Sequence, residues 1–133
     1  MSPEQYVMDT SALLAFIEDE DGSDLVENLL RKENCLIPWV VVLEAVYITL
    51  RERGEAEANY RYALLRQLPA RIIWEMDEPV LLTAARIKAN FHVSLADAII
   101  AAYAFQHKAM LVHKDPEFES LADQIRLEAL PYQ

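Results

Sequence analysis

Residues 93–118 read VSLADAIIAAYAFQHKAMLVHKDPEF. Ser94 to His107 is apolar at almost every position and rich in alanine, the composition of a helix buried on most sides. Ala109 to His113 follows directly as a short apolar strand, too brief for a second helix. Pro116 to Asp123 then reads as a short helix and Ile125 to Leu130 as a last strand. Two acids interrupt this apolar run: Asp97 near the start of the helix and Asp115 just past the strand. Two more, Asp9 and Glu44, stand in equally apolar settings upstream.

The same alternation extends back to the N-terminus. Gln5 to Met8 is a strand candidate running into Asp9-Thr10-Ser11, residues that cap helix starts, and then ALLAFIE. Glu18 to Ser23, EDEDGS, breaks that helix into a solvated acidic loop. It is no calcium loop: with Gly22 at the sixth position, Ile17 would be the first ligand and Asn28 the twelfth. Ser23 to Glu33 carries Leu25, Val26, Leu29 and Leu30 on one helical stripe, and Cys35 to Pro38 is a second strand. Trp39 to Arg53 begins β-branched, but its length, polar tail and the stop at Gly54 predict helix. Glu55 to Leu68 folds back on it as an antiparallel hairpin. Arg71 to Trp74 is a third strand, followed by a helix from about Pro79 to Ala89. Strands alternating with helices imply a parallel sheet covered on both faces. Such sheets place their sites beyond the carboxyl ends of the strands, where Asp9 and Asp115 fall.

A chain of 133 residues, 53% apolar with two glycines, is expected to form one domain, residues 1–133, around one core. No apolar run approaches the ~18 residues that span a bilayer, and MSPEQYVMD lacks the pattern of a secretory signal, so a cytoplasmic setting without membrane contact is expected. The single cysteine, Cys35, excludes an internal disulfide and a cysteine zinc cluster. A net charge of −10 argues against broad attraction to nucleic acid, although Arg51, Arg53, Arg61, Arg66 and Arg71 cluster in one region. Those arginines suit a solvated helix face paired with Glu52, Glu55 and Glu57, or alternatively a surface that steers phosphates.

Each isolated acid but one has an ordinary explanation. Asp9 and Asp115 suit helix caps, and Asp97 stands three residues after Ser94, the spacing of a capping box. Glu44, between VVVL and AVYI, has no cap role. An ionised carboxylate there is costly unless it meets a buried arginine, a narrow polar stripe or a metal. Several carboxylates brought together repel one another, and a hard divalent cation removes that penalty. Oxygen-only ligation selects Mg2+ or Mn2+ over zinc. A carboxylate cage of this kind supports hydrolysis of a phosphodiester by a water of lowered pKa. Thr10 and Ser11 are placed to orient the first carboxylate or the water.

MDTSALLAF at the start, LEAVYITLRERG in the middle and SLADAIIAAYA with AMLVHKDPEF at the end resemble a PIN-domain protein of the VapC toxin type, over essentially the whole chain. The resemblance implies an α/β, PIN-like fold with a short central parallel sheet of about five strands flanked by helices. It further implies a Mg2+/Mn2+-dependent endoribonuclease, the toxin of a type II toxin–antitoxin pair, homodimeric and bound by a small antitoxin. The RNA substrate it suggests is a tRNA or rRNA loop. Position by position, the family's metal-binding and catalytic acids fall on Asp9, Glu44, Asp97 and Asp115, with Ser11 at the hydroxyl position after the first acid. One departure stands out: where the family usually has Ser or Thr two residues before the last acid, this chain has His113, expected at the rim of the site as a hydrogen-bond donor. Trp39, Tyr47, Tyr60 and Tyr62 are candidates for stacking on bases, with core packing or dimer burial as the simpler use. The hairpin that carries them is where an antitoxin helix would lie. A catalytically weak PIN module that binds RNA or an antitoxin is the alternative function. A phosphatase of the haloacid-dehalogenase type would need a second Asp where Ser11 stands.

Overall fold

The computed structural model describes residues 4–132. Its centre is a five-stranded parallel sheet, built from β1 (Tyr6–Met8), β2 (Cys35–Pro38), β3 (Ala70–Ile73), β4 (Met110–His113) and β5 (Leu127–Ala129), in the order β3-β2-β1-β4-β5. Six α-helices and one 3-10 helix flank it among the described residues: α1 (Thr10–Ile17), α2 (Ser23–Arg31), α3 (Trp39–Arg53), α4 (Glu55–Gln67), α5 (Glu78–Asn90), α6 (Leu95–His107) and the 3-10 helix Pro116–Leu121. The α/β architecture expected from the sequence, a short parallel sheet of about five strands flanked by helices, is the one observed.

The chemistry of the strands explains the layering. All four residues of β2 are buried, as are Val7, Met8, Leu111, Val112 and His113. Strands apolar on both faces must be covered on both faces, and the helical connections do this. α6 is hidden over most of its circumference: Ala98, Ile100, Ala101, Ala102, Tyr103 and Ala104 are all buried. Its alanines let neighbouring elements approach closely, which explains why so apolar a helix lies inside. Tyr103 brings its hydroxyl to the edge of the core, where it accepts from Trp39 Nε1 at 2.9 Å and donates to the Glu75 carbonyl at 2.5 Å. Trp39 is therefore a structural anchor between α3 and α6.

Several boundaries differ from those expected, each for a local reason. β3 begins one residue early, at Ala70, and releases Trp74, which is half-exposed with the Arg66 guanidinium over its ring. The short helix expected from Pro116 to Asp123 is a 3-10 helix over Pro116–Leu121, with Pro116 at its first turn. Gly54, at φ +94°, closes α3 and opens α4 in a single residue, a conformation for which side chains are a strain. The arginine region is not one solvated face. Arg61 is buried, with Nη1 3.1 Å from Glu18 Oε1 and Nε 3.5 Å from Glu57 Oε1, so it ties α4 to the end of α1. Arg51 and Arg53 remain largely exposed. Tyr47, Tyr60 and Tyr62 also lie outside the core, on the exposed surface of the hairpin.

Candidate metal centre

The sheet order reverses between β1 and β4: the chain runs outward from β1 to β2 and β3, then crosses to the other side. The crevice past the carboxyl ends of those two strands is where an open parallel sheet binds ligands. Asp9 is the first residue after β1, and its N–H donates to the Val112 carbonyl at 3.1 Å, extending the β1–β4 ladder by one bond. Asp115 stands two residues past β4. α3 delivers Glu44 and the first turn of α6 delivers Asp97 to the same crevice, a pocket of about 360 Å3. The four acids singled out in the sequence thus share one pocket, as does Ser11. Leu14 and Ile48 form its apolar wall, and none of its described lining residues is basic.

A fifth acid joins them. Glu117 lines the pocket, and Asp97, Asp115 and Glu117 each bring a carboxylate oxygen within 4.8 Å of the others. Glu117 is not among the candidate site residues read from the sequence. The only signal was its place two residues after Asp115, across Pro116, in a turn that puts both side chains on the same side. Oxygens ~2.1 Å from an octahedral Mg2+ are at most ~4.2 Å apart, so small side-chain rotations would bring these three onto one hard cation. The donor set fits Mg2+ or Mn2+: it is all oxygen, with no sulfur or imidazole among the described groups of the cluster.

The structural roles weighed for the acids are present too, and they coexist with the convergence. Asp9 caps α1, its Oδ1 accepting from the Ala12 N–H at 2.8 Å. Ser94 Oγ accepts from the Asp97 N–H at 3.1 Å, the main-chain half of a capping box, while the Asp97 carboxylate lines the pocket with the other acids. Asp115 Oδ1 accepts from the Glu117 N–H at 3.0 Å. Glu44 meets no arginine; it is half-buried and accepts from Thr10 Oγ1 at 2.5 Å. The two hydroxyls divide the work: Thr10 holds Glu44, and Ser11 holds Asp9. Ser11 Oγ lies 2.7 Å and 2.9 Å from the two Asp9 oxygens and accepts from the Lys114 N–H at 2.9 Å. One hydroxyl therefore couples the first acid to the backbone leading to Asp115.

The electrostatics are those of a site short of positive charge. Burial, opposed by the Ala12 and Ser11 hydrogen bonds and reinforced by the charge of Asp97, raises the Asp9 carboxyl to about 7. Burial and the charges of Asp115, Glu44 and Glu117, partly opposed by the Ser94 hydroxyl, raise Asp97 to about 6. Lys114 does not relieve them: its Nζ is drawn into the acidic loop, 3.1 Å from the Asp21 carbonyl and 3.5 Å from Glu20 Oε1. His113 differs from its expected role. It is fully buried rather than at a rim, and its Nδ1 accepts from the Asp115 N–H at 3.1 Å rather than donating. Burial pushes its pKa down, against the charges of Glu119 and Asp115, and an Nδ1 that accepts carries no proton.

The PIN-domain profile matches residues 6–124, a span that contains all five acids. The chain belongs to the PIN-domain family. PIN domains are typically metal-dependent nucleases, and the acidic cluster of this one suits that description. A comparison with curated proteins found no match. Among solved structures, this PIN domain is similar to VapBC2 from Rickettsia felis bound to a DNA fragment from their promoter, with a TM-score of 0.78 at 16% identity over 95% of this chain and 98% of that one. It is also similar to DNA-bound VapBC from Salmonella typhimurium, with a TM-score of 0.75 at 17% identity over 96% and 98%. A toxin–antitoxin complex from Klebsiella pneumoniae superposes with a TM-score of 0.69 at 15% identity over 97% and 100%. At these identities the likeness is one of fold.

The Ser11 bridge makes a measurable claim about this PIN domain. Ser11→Ala removes the hydroxyl contacts to Asp9 and leaves the Lys114 N–H without its acceptor. Isothermal titration with Mn2+ is expected to show affinity reduced by about 10–100-fold, the usual cost of losing a group that orients metal ligands. Ser11→Thr, which keeps the hydroxyl, is expected to recover most of it.

Proposed function

We propose that this PIN domain is a Mg2+/Mn2+-dependent endoribonuclease, the toxin of a type II toxin–antitoxin pair of the VapC type, acting in the cytoplasm on a tRNA or rRNA loop. The observation that carries the catalytic half is the convergence of Asp97, Asp115 and Glu117 beside buried Asp9, at the open end of the sheet. Asp97, Asp115, Glu117 and Asp9 would hold the ion, and Glu44, gripped by Thr10, adds a fifth negative group on the facing helix. An Mg2+ or Mn2+ ion held there supplies positive charge for a phosphodiester oxygen and lowers the pKa of a bound water. Ser11 orients Asp9, and Leu14 and Ile48 limit the water that reaches the carboxylates. Glu44, outside the three-acid cluster, would accept a proton from a water on the α3 side of the pocket.

The partner half rests on apolar surface. α3 and α4, with Trp74, enclose a groove of about 480 Å3 walled by Trp39, Val42, Leu43, Val46 and Tyr62. Leu43 is exposed in its wall, and Glu44 of the same helix belongs to the acidic pocket. An amphipathic antitoxin helix lying in this groove would pass next to the catalytic crevice. Leu81, Leu82 and Leu95, exposed on α5 and α6, support a second apolar contact, suited to a homodimer. No helix of the described residues is long and apolar enough to cross a membrane.

The test is cleavage itself. Protein purified free of any antitoxin and incubated with structured RNAs and Mn2+ is expected to cut them at discrete sites, and excess chelator to stop it. RNA bound but never cut, in Mn2+ or Mg2+, would favour a binding module instead. Cleavage that persists in chelator would remove the carboxylate cluster from the chemistry.

A further inference from the structure

The His113 imidazole lies wholly inside the protein, with ring centroids 5.1 Å from Phe118 and 6.0 Å from Tyr132. Its Nδ1 accepts the Asp115 N–H, so the proton of the neutral ring sits on Nε2. That Nε2–H is buried and has no hydrogen-bond partner among the described residues. A buried donor without a partner costs free energy, and an apolar side chain between two aromatic rings would avoid the cost. Packing therefore does not account for an imidazole here. What an apolar residue cannot supply is the acceptor at Nδ1.

That acceptor falls where the backbone leaves the sheet. The His113 carbonyl still accepts from the Leu130 N–H at 2.7 Å, so the residue is anchored by β5. Beyond it, the ladder no longer holds the chain. The Lys114 N–H goes to Ser11 Oγ and the Asp115 N–H to His113 Nδ1. Two side-chain acceptors thus replace sheet hydrogen bonds for two consecutive residues, and the second sets the backbone of Asp115. We propose that His113 is a positioning residue for Asp115: its Nε2-protonated ring holds the Asp115 main chain so that the carboxylate stays with Asp97 and Glu117. This rests on the reading of the acidic cluster as a cation site.

Two substitutions separate positioning from packing. His113→Leu fills the space but has no acceptor; His113→Asn places Oδ1 where Nδ1 stands but leaves a void. Positioning predicts that affinity and stability move in opposite directions. Isothermal titration of the full chain should show Mn2+ bound about 10–100-fold more weakly by His113→Leu and within about threefold of the parent by His113→Asn. Without metal, His113→Leu should melt at or above the parent temperature and His113→Asn below it. Affinities that follow the melting temperatures, or unchanged binding by His113→Leu, would overturn the proposal. Amide exchange at Asp115 in metal-free protein keeps the two readings apart. If the parent binds no Mn2+, the cation site fails. The positioning role then stands if Asp115 protection is lost in His113→Leu and kept in His113→Asn, and falls if both are equally protected.

Discussion

Asp97→Asn is expected to reduce Mn2+-supported RNA cleavage by about 10^3-fold or more, while the metal-free variant melts above the parent at pH 8. The two halves have one cause. Asp97 is central to the acids: its carboxyl feels Asp115, Glu44 and Glu117, and its charge in turn raises Asp9. Amide for carboxylate keeps the shape and removes the charge, so the repulsion among the acids in metal-free protein falls. The main-chain bond from Asp97 N–H to Ser94 Oγ survives, so the start of α6 is kept. On the proposed reading, what disappears is an anionic ligand of the cation. Metal activation supplies several kcal/mol of transition-state stabilisation, and each ~1.4 kcal/mol lost is tenfold in rate. Cleavage and melting curves on the same preparation check both. A variant that cuts RNA within about tenfold of the parent would remove Asp97 from the chemistry. One that melts lower without metal would make Asp97 a structural cap and little else.

The fold was legible in the sequence because its elements are short, apolar and separated by clear stops. Gly54 ends α3, Pro69 follows α4, and the passage from α6 into β4 shows as a change in the length of apolar runs. The 3-10 geometry after β4 was not legible, since Pro116 suits the first turn of either helix type. Of the site, Asp9, Glu44, Asp97 and Asp115 stood out because each interrupts an apolar segment. Glu117 did not, because acids in the first turn of a helix are unremarkable. The division between Thr10 and Ser11 was closed to sequence reasoning as well: Glu44 lies 34 positions from Thr10, and only the packing of α3 on α1 brings them together. His113 shows the opposite failure. Its identity marked it as unusual, but whether its ring pointed to solvent or inward depended on Phe118 and Tyr132 closing around it.

Mn2+ is expected to raise the melting temperature by roughly 5–15 °C at pH 8 and by less than a third of that at pH 5, taking ~2.7 kcal/mol for a ligand at 100 times its Kd and a few degrees per kcal/mol. The pH dependence follows from the direction of the shifts. The folded chain raises Asp9 from 3.8 to about 7 and Asp97 from 3.8 to about 6. Between those values the folded state holds more protons than the unfolded one. The stability these groups contribute without metal is therefore full below about pH 4 and lost as pH rises through 6 and 7. At pH 8 both are ionised at a cost the fold must bear, and a divalent cation removes that cost. At pH 5 the cation must displace protons from carboxyls that already hold them, so the net gain shrinks. Calorimetry at pH 8 and pH 5, with Mn2+ against chelator at matched ionic strength, reads the difference directly. An equal shift at both values would mean that Mn2+ binds elsewhere. Asp9→Asn should flatten the metal-free pH dependence above pH 5, because the group with the largest upward shift no longer titrates.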